Sequence, residues 1–390
     1  MKKVISFFIL LVIGLVTAEV LNAMPAFARK YQMSCKTCHS PFPKLKPYGE
    51  EFAGNGFVLK DKEAPRYTAD TGDAKLSLIR DIPIALRIEG YASFNNGNGK
   101  SLDFSSPYLV KLLSGGPIAR NISYYFYFFF SERGKVAGLE DAFIMFNDLV
   151  GDLDVIVGQF QVSDPLFKGE LRLSYEAYKI YKAQPGLSGI DLTYDRGIML
   201  TYGFKSGTDL VLEVVNGSGI GDSETNPHGN FDVDKYKNFM GRISQSIGDH
   251  FRVGVFGYSG KEEGPTGLVN SLWMAGADGS LVFPKLELNL QLVERRDKNP
   301  NFLLGGPAIA TRGGFAELIY LPRGDDSSWY WAGLFNWVDS DQEDLDYTAA
   351  TIHGGYLLWR NFRFVAEATY AFRSNGGKYP RFGIGLVTAF

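Results

Sequence analysis

Beyond residue 80 the chain alternates between apolar and polar positions with a period of two. Leu286, Leu288, Leu290 and Leu292 alternate with Glu287, Asn289, Gln291 and Val293. Phe362, Phe364, Ala366, Ala368, Tyr370 and Phe372 alternate with Arg363, Val365, Glu367, Thr369, Ala371 and Arg373, and Ile82, Ile84, Leu86 and Ile88 with Pro83, Ala85, Arg87 and Glu89. In extended backbone this puts each set on one face of a strand. Alternation alone fits a sandwich or a barrel, so the turns must decide. The pattern predicts strands over 82–95, 105–113, 118–131, 137–147, 152–162, 189–204, 208–216, 236–248, 251–259, 269–283, 286–294, 311–321, 328–338, 347–359, 362–373 and 379–390. That is an even count, as in bacterial outer-membrane barrels.

The connections alternate in length. Short ones are read at Ser114–Pro117, Asp148–Gly151, Lys205–Gly207, Gly248–His250, Pro284–Lys285, Pro322–Ser327 and Arg360–Asn361, and long ones at 163–188, 217–235, 260–268, 295–310 and 339–346. Short periplasmic turns against long outer loops are the signature of an outer-membrane barrel, whereas a sandwich has no reason to sort its loops by parity. An even strand count puts both chain ends on the short-turn, periplasmic side. Aromatics crowd strand ends at Tyr124–Phe130 and Trp329–Trp331, as interfacial girdles do, and the last strand ends in Phe390, a terminal aromatic of the kind that barrel-assembly machinery reads. Charges on a lipid face are costly, so Arg87, Glu89, Glu213, Arg242, Glu287, Glu317, Arg363 and Glu367 are expected to face inward. The expected fold class is all-β: a transmembrane barrel of about 16 antiparallel strands, preceded by a small helical segment.

The N-terminus differs. Met1–Lys3 is basic and Phe7–Val16 apolar, followed by small residues, which reads as a secretory signal peptide over 1–23. Cleavage after Ala23 fits the distance from the apolar run; Ala28 fits the small-residue rule. Residues 24–78 hold both cysteines of the chain with a dense set of Lys and Pro, and 79–390 form the barrel. Composition removes other classes. With 45% hydrophobic and 14% aromatic residues the chain is not disordered, and its 45 Gly lack a collagen period. Two Cys cannot make a disulfide-dense scaffold, and 40 Lys+Arg against 43 Asp+Glu leave no electrostatic footprint for nucleic acid.

The chemistry lies in Cys35-Lys36-Thr37-Cys38-His39, the C-x-x-C-H pattern of covalent haem attachment. Two thiols three positions apart reach the two vinyl groups of one haem, and the adjacent His lies under the iron as proximal ligand. Cys35, Cys38 and His39 are therefore the cofactor-binding residues, with His39 the metal ligand and one haem c the cofactor. The rival readings are weaker. No βαβ pattern supports a thioredoxin-like pair, zinc lacks a second ligand pair, and a Cys35–Cys38 disulfide would close a very small loop. Helices are expected within Pro25–Cys38 and at Tyr48–Ala53, with Gly54 and Gly56 as breakers, and Phe27, Tyr31, Phe42, Leu45, Tyr48, Phe52 and Phe57 as the wrapping for a macrocycle. The distal ligand stays open among Met24, Met33 and an inward-facing His353; His228 falls in an outer loop and His250 in a periplasmic turn. No catalytic triad or paired-carboxylate signature is present. The acidic stretch Asp339–Asp346 could concentrate cations or be a solvated loop.

Pro25, Phe27-Ala28-Arg29, Cys35-x-x-Cys38-His39, Pro43, Leu45, Pro47, Gly49, Phe52 and Gly56 together resemble the fused outer-membrane cytochrome–porins of iron-oxidising bacteria. The close match covers residues 25–56; beyond it the likeness is architectural. The resemblance implies one c-type haem, electron uptake from extracellular Fe(II), and a periplasmic c-type cytochrome or other acceptor as partner. A single haem on one side cannot relay electrons across a hydrocarbon core of about 30 Å, so it should sit in the lumen or plug the periplasmic mouth. The alternatives are a solute porin with a haem plug or sensor, and electron export to an extracellular acceptor.

Overall fold

The computed structural model describes residues 26–59, 68–69, 71–73, 75–80, 82–97, 101–132, 138–220, 230–232 and 234–390. The signal peptide over 1–23, Met24, Pro25 and His228 lie outside the described residues. Sixteen strands form the barrel: β1 Ile84–Asn95, β2 Ser101–Ala119, β3 Ile122–Glu132, β4 Gly138–Phe146, β5 Leu153–Gln161, β6 Tyr194–Gly203, β7 Thr208–Val215, β8 Asn238–Ile247, β9 Phe251–Glu263, β10 Val269–Val282, β11 Leu286–Asp297, β12 Ile309–Tyr320, β13 Trp329–Ser340, β14 Tyr347–Trp359, β15 Phe362–Arg373 and β16 Tyr379–Ala389. Each pairs antiparallel with its chain neighbour, and β16 pairs with β1, from Arg381↔Asn95 to Ala389↔Arg87, to close the ring. Phe390 completes the seam by exchanging backbone hydrogen bonds with Leu86, at 2.7 and 2.8 Å. Closure leaves no strand edge unpaired, the requirement for crossing hydrocarbon with strands.

The alternation faces as expected. Leu290, Leu292, Phe364 and Ile384 are exposed on the outer wall, whereas Glu287, Asn289, Gln291, Arg363 and Glu367 are buried inside. Each large apolar side chain left in water forfeits about 1.5–3 kcal/mol, so an outer wall of them makes sense only against lipid. Tyr320, Trp329, Trp331 and Trp359 cluster outward near the short-turn end, the position of an interfacial belt.

Two expectations are corrected. The turn expected at Ser114–Pro117 is strand: β2 runs on to Ala119, Pro117 pairs with Ser123, and the chain reverses at Arg120–Asn121. Asn121 takes the left-handed φ of 59° that a two-residue turn needs. Gly115 is there for packing, because a Cβ on it would lie 2.9 Å from the Phe57 ring. Second, β9, β11 and β13 run further than the sequence pattern indicates, so the stretches read as loops at 260–268, 295–310 and 339–346 are partly strand. Those strand ends are polar at consecutive positions, Lys261–Glu263, Arg295–Asp297 and Asp339–Ser340, which hides them from a period-two reading.

The stretch read as a long outer loop at 163–188 is corrected too: the strand expected from 189 starts only at Tyr194, and the 162–193 connection is not an outer loop. It turns inward, carrying short helical turns at Gly169–Leu171 and Lys179–Lys182, and fills the lumen. Tyr178 stacks on Phe315 of β12 with ring centroids 4.0 Å apart and donates to Glu317 at 3.1 Å. Glu367 of β15 accepts from the backbone N–H groups of Tyr175 and Glu176, at 2.6 and 3.0 Å. Glu170 pairs with the buried Lys111 of β2. Leu166, Tyr178, Ile180, Tyr181 and Leu192 join one core with wall residues of β5–β13. The lumen of the described residues is thus packed rather than lined.

Candidate functional site

The N-terminal segment folds as helix α1 (Ala26–Tyr31), a 3₁₀ turn at Cys35–Thr37 and helix α2 (Pro47–Gly54). Pro47 at the first turn of α2 is pre-set for a helix start. The expected single helix through Cys38 is instead two pieces, broken at Gln32, which takes a φ of 53°. Phe27, Tyr31, Phe52 and Phe57 pack together: Phe27 stacks on Phe57 at 4.8 Å and meets Phe52 edge-on at 5.4 Å, and the Tyr31 hydroxyl donates to the Phe57 carbonyl at 2.6 Å. Met33 and Cys38 lie against this cluster. Phe42 instead points to a second cluster in the barrel, with Tyr91, Tyr108 and Tyr127, and Tyr48 is exposed. Of the seven aromatic and apolar residues expected around one macrocycle, four, Phe27, Tyr31, Phe52 and Phe57, come together in one cluster.

The segment docks on the short-turn end. Lys36 pairs with Asp326 at 2.8 Å, Lys46 with Asp325 at 2.5 Å, and the Ser40 hydroxyl donates to Asp325 at 2.7 Å, all on the β12–β13 turn. Arg29 donates to the Ile84 carbonyl at 2.5 Å, and Asn147 of the β4–β5 turn donates to the Gly54 carbonyl at 2.8 Å. Phe57 stacks on Tyr125 of β3 at 5.3 Å. Lys44 reaches inward to Glu287 at 2.6 Å. The segment is a plug over one mouth of the barrel. One glycine makes that fit possible, and another the packing within the segment. A Cβ on Gly56 would lie 2.4 Å from the Ser123 hydroxyl, and one on Gly49 would lie 2.4 Å from the Cys38 carbonyl.

Cys35, Cys38 and His39 come together within one turn. The N–H of His39 donates to the Cys35 carbonyl at 2.9 Å, and that of Cys38 to the same oxygen at 3.2 Å. Both thiols are free and half-buried, and burial raises both above the ordinary cysteine range. The His39 Nδ1 faces two carbonyl oxygens, Pro43 at 3.0 Å and Lys44 at 3.2 Å, so Nδ1 carries the proton. A backbone carbonyl on Nδ1 is the usual way a ligating His is oriented through its other nitrogen. Among the described residues, Nε2 has no hydrogen-bond partner. Burial pushes His39 down to about 4 against those two carbonyls, keeping the imidazole neutral and its lone pair available. These residues fit a covalently attached haem: two free thiols at the right spacing, and an imidazole whose proton is committed away from the metal.

His353 does face the lumen, as expected, and is buried. Both its ring nitrogens are engaged, Nδ1 with Glu367 at 3.0 Å and Nε2 with the Tyr330 hydroxyl at 3.0 Å, so neither is free to ligate iron. His250 lies in its short turn with Nδ1 against the Val282 carbonyl at 2.8 Å. The acidic stretch at 339–346 is tied down by Arg373, which pairs with Asp339 at 2.8 Å and with Asp346. The inward loop at 162–193 was missed because its run of Tyr, Leu and Ile has no period that separates a lumen-filling loop from an exposed one.

No protein-family model matches this chain, and no curated protein matches it. Solved structures do. The anion-selective porin from Comamonas acidovorans superposes with a TM-score of 0.58 at 11% identity, over 80% of this chain and 99% of that one. The outer membrane channel DcaP of Acinetobacter baumannii gives 0.57 at 12% identity, over 80% and 97%. A loop-deletion form of OmpT, an outer membrane protein of Vibrio cholerae, gives 0.54 at 11% identity, over 80% and 99%. The fold is that of the outer-membrane porins.

Proposed function

We propose that this protein is an outer-membrane electron-transfer conduit: a closed sixteen-strand barrel whose short-turn mouth is plugged by a segment carrying one c-type haem. The observation that carries this reading is the Cys35-x-x-Cys38-His39 turn, with both thiols free and the His39 Nδ1 proton committed to backbone carbonyls. A bound haem c would supply a one-electron redox centre there. Cys35 and Cys38 would hold it and His39 would ligate its iron. Lys36, Ser40 and Lys46 fix that turn to the barrel rim through Asp325 and Asp326. The reading puts the short-turn mouth and both termini in the periplasm, within reach of a periplasmic c-type cytochrome or other acceptor. The donor, on the resemblance of residues 25–56, is an extracellular reductant, with Fe(II) the expected one.

The likeness to porins supports a second reading, a solute channel in which the N-terminal segment is a plug or sensor. Against it stands the packed lumen, where Phe315, Glu317, Gln291 and Glu367 are buried by loop residues rather than left to water. The test is made on protein purified from outer membranes of cells that mature c-type cytochromes. Covalent haem that is lost in Cys35→Ser/Cys38→Ser and reduced by added Fe(II), with no steady conductance in planar bilayers, is the expected result. Ohmic, solute-sized conductance with no covalent haem would overturn the proposal in favour of the porin. Covalent haem that Fe(II) leaves oxidised would remove iron as donor.

A further inference from the structure

Halfway along the wall, Glu213 of β7 points into the lumen with 1% of its surface exposed. Among the described residues, neither of its buried carboxylate oxygens has a hydrogen-bond partner. Its direct partners on the neighbouring strands are two methionines, Met199 of β6 and Met240 of β8. Directly paired residues share a face of the sheet. The three side chains therefore form one line across three strands, and all three are buried, Met199 and Met240 at 5% and 2%. The methionines belong to an apolar core with Ile156, Val211 and Val215. The nearest guanidinium along β8, that of Arg242, is spent on Asp278 and Ser244.

An unpaired carboxylate in such surroundings costs several kcal/mol, so the group is held protonated unless a cation takes the proton's place. The cation's identity follows from the donors. Two thioethers are soft ligands and select Cu(I) among the biological metals. A hard cation would need more oxygens than one carboxylate supplies. One monovalent ion on one carboxylate leaves no net charge behind, whereas a divalent ion would leave one buried. We infer that Glu213, Met199 and Met240 form a binding site for a soft monovalent cation, Cu(I), within the barrel wall. This inference does not depend on the haem reading.

The test uses the full chain with Cys35→Ser/Cys38→Ser, so that the thiols cannot bind the probe. Cu(I) is titrated against a chromophoric Cu(I) chelator, and the bound metal is examined by X-ray absorption. The expected result is one Cu(I) per chain with a sulfur shell. Met199→Leu/Met240→Leu should lose that shell and weaken binding by at least the about 10–100-fold that loss of an outer-shell partner costs. An unchanged heat-modifiable gel band shows that the barrel is intact. An infrared band of a buried protonated carboxyl, assigned by its loss in Glu213→Gln, should vanish as Cu(I) binds. Binding that survives the double Met substitution, no binding at all, or a carboxyl band that persists at saturating Cu(I) would each overturn the inference, the last by showing a proton to be the partner.

Discussion

Gly56→Ala tests the docking of the plug by adding one methyl group and removing nothing. Gly56 has a φ of 66°, in the left-handed region. Holding an L-residue there costs about 1–2 kcal/mol. The new Cβ would lie 2.4 Å from the Ser123 hydroxyl, 2.6 Å from Asn147 Oδ1 and 2.7 Å from the Ser123 Cβ, all on the barrel rather than on the plug. Ser123 and Asn147 are themselves buried and joined by a 3.1 Å hydrogen bond, so neither yields cheaply. Overpacking of this kind costs about 1–3 kcal/mol. Together the two terms weaken the docked plug by about 2–5 kcal/mol. At about 1.4 kcal/mol per factor of ten, local opening rises by about 30-fold to several thousand-fold. Gly54→Ala is the internal control: it is the last residue of α2, a Cβ there meets nothing within 4 Å, and Ala is the better helix former by up to about 1 kcal/mol. The assay is amide hydrogen exchange over residues 47–57, with the heat-modifiable gel shift reporting the barrel. Gly56→Ala should accelerate exchange in the plug and leave the barrel intact, while Gly54→Ala should slow it or leave it unchanged. Equal behaviour of the two variants would refute the claim that the close approach of Gly56 to the β2–β3 and β4–β5 hairpins seats the plug.

Three further outcomes are expected. Glu170→Gln leaves the buried Lys111 without its carboxylate, which costs about 3–5 kcal/mol and should release the 162–193 loop to limited proteolysis. Replacing the inward part of that loop by a short linker should produce a steady bilayer conductance absent from the parent. Asp325→Asn should weaken plug docking by no more than about 1 kcal/mol, because the Lys46 pair is partly exposed. Burial opposes ionisation of Asp325, but hydrogen bonds from Lys46 and Ser40 outweigh it and hold its carboxyl below the ordinary aspartate value of 3.8. Its contribution to docking is thus complete above pH 3.8 and is lost as the pH falls through the lowered value, so the acid-induced rise in hydrogen exchange of the plug should be larger in the parent than in Asp325→Asn, which keeps the Lys36–Asp326 pair.

The barrel was legible in the sequence because its physics is local. A strand between lipid and lumen must alternate, and a two- or three-residue reversal needs Gly, Asn or Asp, so the strands near β14 and β15 could be bounded from pattern alone. The C-x-x-C-H turn was legible for the same reason, since it lies within five consecutive residues. The turn at Arg120–Asn121 was misplaced because Gly115-Gly116-Pro117 looks like a turn when its neighbour is unknown, and only the Phe57 ring lying over Gly115 explains the small residue there. Contacts that join distant parts of the chain left no such trace. Lys46 with Asp325, Glu170 with Lys111, and Glu213 between Met199 and Met240 are each set by which strands meet and in what register. The pattern along the chain sets that it crosses a membrane with strands and that two thiols and an imidazole stand within five residues. That the lumen is filled, that one mouth is plugged, and that a carboxylate lies between two thioethers are settled by the fold, because burial and pairing at those places depend on residues far apart in the chain.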